Sequence, residues 1–130
     1  MPKRFVDGEA LWLSDKVKSL PAEYRLHYAN WIPMAEANGV FEASASRIQA
    51  RIYSYLLPMY TIQRVRRVLE SLVRVGLVKT WDEGGKTWGY FIGIAKAGRL
   101  PELRYIDRYK NLPPNPPFDD DGVENRTSPE

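Results

Sequence analysis

Gln63, Arg64, Arg67 and Arg74 are the side chains whose types and spacing suit a chemical task, and the task is contact with nucleic acid. Arginine offers a planar fork of donors that matches a guanine edge or a phosphate, and glutamine matches an adenine edge. In helical register Gln63, Arg67, Glu70 and Arg74 share one face, while Ile62, Val65, Val68, Leu69 and Leu72 share the opposite one. Gln63 and Arg67 stand one turn apart in the N-terminal half, the half that ordinarily meets base edges. Arg74 lies two turns further on and is expected to reach phosphate. Arg66 sits nearer the flank, four residues before Glu70, and is placed to pair with it. Thr61 precedes the helix as an N-cap and offers a hydroxyl to phosphate. Arg47 and Arg51, one turn apart on the preceding helical segment, are candidate clamps for a nucleic-acid backbone, and Lys86 is a candidate cation near a hairpin tip, opposite Glu83. The competing reading of all these residues is a solvated charged surface.

Other chemistries find little support. There are no cysteines, which excludes disulfides, thiolate zinc and iron–sulfur sites. His27 is the only histidine; Arg25 and Tyr28 beside it give neither metal spacing nor a triad, so it reads as a surface or half-buried side chain. Asp119-Asp120-Asp121 reads as solvated charge, and Gly84-Gly85 lacks the Lys-Ser/Thr of a phosphate-cradling loop. Trp12, Trp31, Tyr53, Tyr55 and Tyr60 read as core, with a stacking platform for single strands as the alternative. No constellation points to an enzyme, and neither a metal nor another cofactor is expected.

The elements that must position the basic helix follow from periodicity. The spacing predicts helices at about 21–38, 44–57 and 61–75 and a hairpin at about 77–81 and 88–94. The first helix carries Tyr24, Tyr28, Trp31, Ile32 and Ala35 as its stripe, is kinked at Pro33 and stops at Asn38-Gly39; Val40-Phe41-Glu42 follows as a short strand. The second buries Ile48, Ile52 and Leu56 and ends at Pro58. A short turn leads to the third, which stops at Gly76. If Gly84-Gly85 is a two-residue loop, Glu83 faces Lys86, Asp82 faces Thr87 and Trp81 faces Trp88. A Trp–Trp cross-strand pair there would contribute roughly 0.5–1 kcal/mol. The fold class is therefore α+β, mainly helical: a winged helix-turn-helix of three helices with a C-terminal hairpin wing.

The 130 residues suffice for one core. Residues 1–20 read as an arm packing on the body through Leu11, Trp12, Leu13, Val17 and Leu20, with a short helix from Ser14 or Asp15; 21–94 as the winged-helix domain; 95–110 as its extension; and 111–130 as a Pro-rich, acidic, disordered tail. In that tail Arg126 stands against Asp119, Asp120, Asp121, Glu124 and Glu130, a balance of −4, which leaves +7 of the chain's net +3 on residues 1–110. A basic body with an acidic tail suggests a polyanionic partner and a tail that masks the basic face; uneven surface charge is the plainer alternative. No apolar run reaches the roughly 18 residues of a membrane span, and no secretory h-region follows the first charges, which fits a cytoplasmic protein without a membrane partner.

Taken in order, Asn38-Gly39-Val40-Phe41-Glu42, Ile48-Gln49-Ala50-Arg51-Ile52-Tyr53, Val65…Leu69…Leu72, Gly76-Leu77-Val78, Trp88-Gly89-Tyr90-Phe91 and Lys96-Ala97-Gly98-Arg99-Leu100-Pro101 resemble the N-terminal winged-helix domain of phage and prophage replication-initiation proteins, of the replisome-organiser kind. The likeness runs from about Leu11 to Pro101. It implies double-stranded DNA binding, often at an origin, with replication proteins or a second copy of the chain as further partners. Recruitment of helicase or its loader belongs to a separate C-terminal part in that family and is not carried over. This chain differs from the pattern in Pro33 and in the wing residues Asp82 and Glu83, whose charge opposes phosphate. The alternative to DNA binding is a winged helix used for protein–protein contact or dimerisation, through the apolar arm and the aromatics of Tyr53–Tyr60.

Overall fold

A computed structural model describes residues 15–54, 59–95 and 111–124. Its order is α1 (Asp15–Lys18), α2 (Ala22–Trp31), a 3-10 turn (Ile32–Met34), β1 (Val40–Glu42), α3 (Ala45–Ile52), α4 (Ile62–Arg74), β2 (Val78–Glu83) and β3 (Lys86–Phe91). The strands form one antiparallel sheet in the order β1-β3-β2. Among the described residues, four α-helices and a three-stranded sheet make an α+β fold compatible with a small winged-helix-like domain.

α4 forms where the 3.6-residue periodicity is clearest. Val65, Val68 and Leu72 are buried and Leu69 packs against them, while Ile62, expected on the same face, is exposed at the first turn. Thr61 caps the helix, its Oγ1 accepting from the Arg64 N–H at 3.2 Å. At the other end Leu77 N–H bonds to Leu72 C=O and Gly76 N–H to Val73 C=O, a double bond pattern that requires a left-handed residue between helix and strand. Gly76 supplies it with φ +85°. The arm's described part closes on this end. Val17 and Leu20 are buried, and Lys16 Nζ donates to Gly76 C=O at 3.2 Å, a cation at a helix C-terminus.

The hairpin has the expected register: Glu83 opposite Lys86, Asp82 opposite Thr87 and Trp81 opposite Trp88, with both glycines of the loop at positive φ. Against the expected spans of 77–81 and 88–94, both strands run up to the loop and β3 ends at Phe91. Trp81 and Trp88 are the expected cross-strand pair, and each indole has a further partner. Trp81 lies edge-on to Phe118, its Nε1–H on Glu83 Oε1, and Trp88 donates to the Glu83 carbonyl. β1 adds to β3 with Phe41 opposite Gly89. A Cβ on Gly89 would lie 2.6 Å from Phe41 Cζ, so this strand position has to be a glycine for Phe41 to stack on Phe91.

Three expectations are corrected. The first long helix does not continue to residue 38: it ends at Trp31 and tightens into the 3-10 turn, because Pro33 has no N–H and crowds the carbonyl one turn back. α3 ends at Ile52 rather than 57. Tyr53 is drawn into the core, where its Oη accepts from Trp31 Nε1 at 2.7 Å, and it leaves helical geometry at φ −114°, ψ 13°. The connection to α4 is therefore longer than a tight helix-turn-helix turn; Leu56 and Pro58 lie outside the described residues.

The third correction concerns the tail. Residues 111–124 are not a free acidic chain but a strap across the outer face of the sheet, with Phe118 only 3% exposed and edge-on to Trp81 and Tyr90. Asn38 Nδ2 donates to the Pro113 carbonyl, Gly93 N–H to the Asp120 carbonyl, and Lys79 Nζ to the Gly122 carbonyl at 2.6 Å. The Asp120 carboxylate accepts from Tyr90 Oη at 2.5 Å and from the Ala95 N–H at 3.0 Å. Burial, then the Asp120 carboxylate, holds the Tyr90 phenol far above its ordinary pKa. The sheet thus lies between the helices on one face, through Phe41, Val78 and Phe91, and the strap on the other. Residues 1–14, 96–110 and 125–130, with Trp12 and the Lys96–Pro101 run, lie outside the described residues.

Candidate nucleic-acid interface

The basic residues expected to act together fall into two groups. In the first, the side chains are already engaged. Arg51 Nη2 lies 3.4 Å from Glu36 Oε1. Arg47 Nε and Lys86 Nζ converge on Glu42, at 4.0 and 3.8 Å, bringing an α3 cation and a wing cation to one carboxylate. The Arg47 side chain is 70% exposed, so its pair contributes about 0–1 kcal/mol and opens readily to another anion. Lys86 also lies over the Trp88 ring. The wing carboxylates have local work: Asp82 accepts from Thr87 Oγ1 at 2.6 Å and Glu83 from Trp81.

The second group lies on α4. Gln63, Arg66 and Arg67 are exposed, and no ion pair between described residues involves either arginine. The expected pairing of Arg66 with Glu70 is not formed. Arg74, at the C-terminal end, makes a long 3.4 Å contact to Ser71 Oγ and no ion pair among the described residues. Arg64 has a second duty, since its Nη1 donates to the Met59 carbonyl at 2.7 Å and its guanidinium lies 5.0 Å from the Tyr60 ring centroid. Thr61 accepts as the cap, which leaves its O–H to donate. The face that α4 shows to solvent is thus held in place by its own buried stripe and by the α3–α4 connection.

Beside this face is a cleft of about 190 Å³ between α2 and α4, lined by Glu23, Tyr24 and His27 from one side and Tyr60, Arg64, Arg67 and Val68 from the other. Its floor is an aromatic cluster. Tyr53 and Tyr60 stack at 4.6 Å, and His27 stands edge-on to both. Tyr53 Oη lies 2.6 Å from His27 Nδ1 and accepts from Trp31 Nε1–H. An indole only donates, so the Tyr53 hydroxyl hydrogen is free to be given to His27 Nδ1. With that hydrogen given to Nδ1, a neutral His27 carries its own proton on Nε2. Burial lowers the His27 pKa, with Glu23 opposing and Arg64 adding to the effect. The Tyr53 hydroxyl is shifted upward by burial, against the Trp31 hydrogen bond.

Sequence reading placed Arg64 and Arg67 but missed the cleft. Glu23, Tyr24 and His27 share one face of α2 by their spacing, which was visible; that this face meets the start of α4 was not. Among the described residues there is no grouping of three or more His, Asp or Glu able to hold a metal, and no helix long and apolar enough to cross a membrane. Family models, curated proteins and solved structures give no match to this chain.

Proposed function

We propose that this chain is a winged-helix double-stranded DNA-binding module in which α4 enters the major groove. The observation that carries the reading is the exposed Gln63–Arg66–Arg67 face on a capped, core-anchored helix that runs directly into a hairpin paired with β1. Gln63 is the candidate for base-edge contact and Arg74 for phosphate, with Arg47 and Lys86 released from Glu42 to flank the duplex. The sequence resemblance to phage-type initiators supports a role at a replication origin, in the cytoplasm, with replication proteins as further partners.

Selection from a random duplex library, followed by titration of the selected duplex over a range of salt, tests the reading. Log affinity should fall linearly with log salt. Arg74→Ala should weaken all duplexes alike and reduce that slope by about one. Gln63→Ala should instead relax the preference at one position by about 1–3 kcal/mol. Absence of duplex binding at low salt rejects the reading. A protein-interaction module through Tyr53–Tyr60 is less well supported, because Tyr53 is buried and Tyr60 is stacked on it.

A further inference from the structure

The cleft between α2 and α4 gathers more donors than its fold requires. Arg64 uses one of its five N–H groups on Met59 and Arg67 makes no ion pair, so among the described residues most of both guanidinium forks are without a partner. His27 lines the cleft and is 7% exposed, and its Nδ1 is paired with the Tyr53 hydroxyl, so Nε2 is the ring nitrogen without that partner. Tyr24 and Tyr60 line the same walls. Two cations and a buried neutral donor face one carboxylate, Glu23, which lies within 4 Å of neither arginine. A volume of about 190 Å³ is several times the roughly 30 Å³ share of a water molecule, enough for a tetrahedral oxyanion.

We propose that this cleft is a seat for a phosphate oxyanion, gripped by Arg64 and Arg67 and receiving a hydrogen bond from His27 Nε2–H. Forked guanidinium groups match the paired oxygens of a phosphate, and the neutral imidazole donates without bringing a further desolvated charge. The Trp31–Tyr53–His27 chain holds the ring in place before the anion arrives. Glu23 at the rim sets a threshold, since its charge opposes any anion that enters. If the DNA-binding reading holds, the occupant is a backbone phosphate, and Arg67 positions the duplex rather than reading a base. A free phosphate is the other source of the same chemistry.

His27 gives an unambiguous probe, because its ring signals are the only histidine signals in the chain. The whole protein is titrated with inorganic phosphate at constant ionic strength while the His27 ring nitrogens are followed by NMR, with chloride as the control. The expected result is a saturable shift specific to phosphate, together with a rise in the His27 pKa on saturation. Arg67→Ala should weaken it by about tenfold or more, as loss of a charge-assisted contact does. Glu23→Gln should strengthen it, and Lys18→Ala, a charge change away from the cleft, should leave it alone. No saturable shift, or one equal in Arg67→Ala, overturns the seat. Adding duplex then separates the sources: displacement of phosphate identifies a backbone phosphodiester, and duplex binding without displacement identifies free phosphate. A seat that fills while no duplex binds rejects only the DNA reading. Duplex binding with no phosphate-specific shift rejects only the seat.

Discussion

The exposed face of α4 and the outer face of the sheet both carry cations, and their fates differ. On α4, Arg66 and Arg67 make no ion pair with any described residue. On the sheet, Lys79 lies over the Phe118 ring, donates to the Gly122 carbonyl and pairs with Glu124 at 3.2 Å. The same charge type serves folding in one place and stands available to a ligand in the other. The +7 surplus of residues 1–110 therefore says little about where a polyanion would bind. The pairing of each cation is a closer guide, and through Lys79 it ties the acidic strap to the sheet.

The largest effect that could break this contrast is on the strap. Phe118→Ala should cost about 3 kcal/mol or more in chemical denaturation, as loss of a buried aromatic does, while duplex affinity of the folded protein stays within twofold or so. A large gain in affinity on strap loss would revive masking. Next in size, Arg67→Ala should cost about 1–3 kcal/mol of duplex affinity with little change in thermal stability. A phosphate seat makes that loss uniform across sequences, and base readout confines it to the preferred site. Lys79→Met comes third. It should lower stability by about 1 kcal/mol through the lost hydrogen bond to Gly122 and leave duplex affinity unchanged. A loss of affinity equal to that of Arg67→Ala would place the outer sheet face in the binding site.

The smallest effects are those of pH, and the two regions should respond at opposite ends. His27 has a folded pKa below its ordinary 6.5, so the unfolded chain binds more protons between the two values. Its contribution is present above pH 6.5 and is lost as pH falls through the folded pKa. Tyr90 is shifted above its ordinary 10, so its contribution is present below pH 10 and declines as pH rises beyond it. Denaturation measured across pH should show an acid limb that His27→Gln flattens and an alkaline limb that Tyr90→Phe flattens. The same limbs in both variants would reject this division.

Much of the α4 side was legible in the sequence. Thr61, the Val65–Leu72 stripe, Gly76 and the Gly84-Gly85 loop carry local rules, so helix and hairpin register could be read without tertiary information. Long-range contacts were not legible. Tyr53 ends α3 because Trp31, on another helix, needs an acceptor. The strap was hidden by its composition, since one phenylalanine among prolines and aspartates reads as disorder until a sheet face is found to receive it. The cleft needed two helix faces to meet, and each alone gave an ordinary pattern.

The strap also has a consequence for the order in which the chain is made. When Tyr90 leaves the ribosome the hairpin can already pair, but Asp120, its partner, follows 30 residues later. Domains begin to fold during synthesis from the N-terminal side, and a contact that needs residue 120 waits until that residue has emerged. During that interval Trp81 and Tyr90 lack the Phe118 ring that packs on them in the finished fold. The nascent chain is most prone to sticky encounters then, and a chaperone holding this protein would be expected to hold it there.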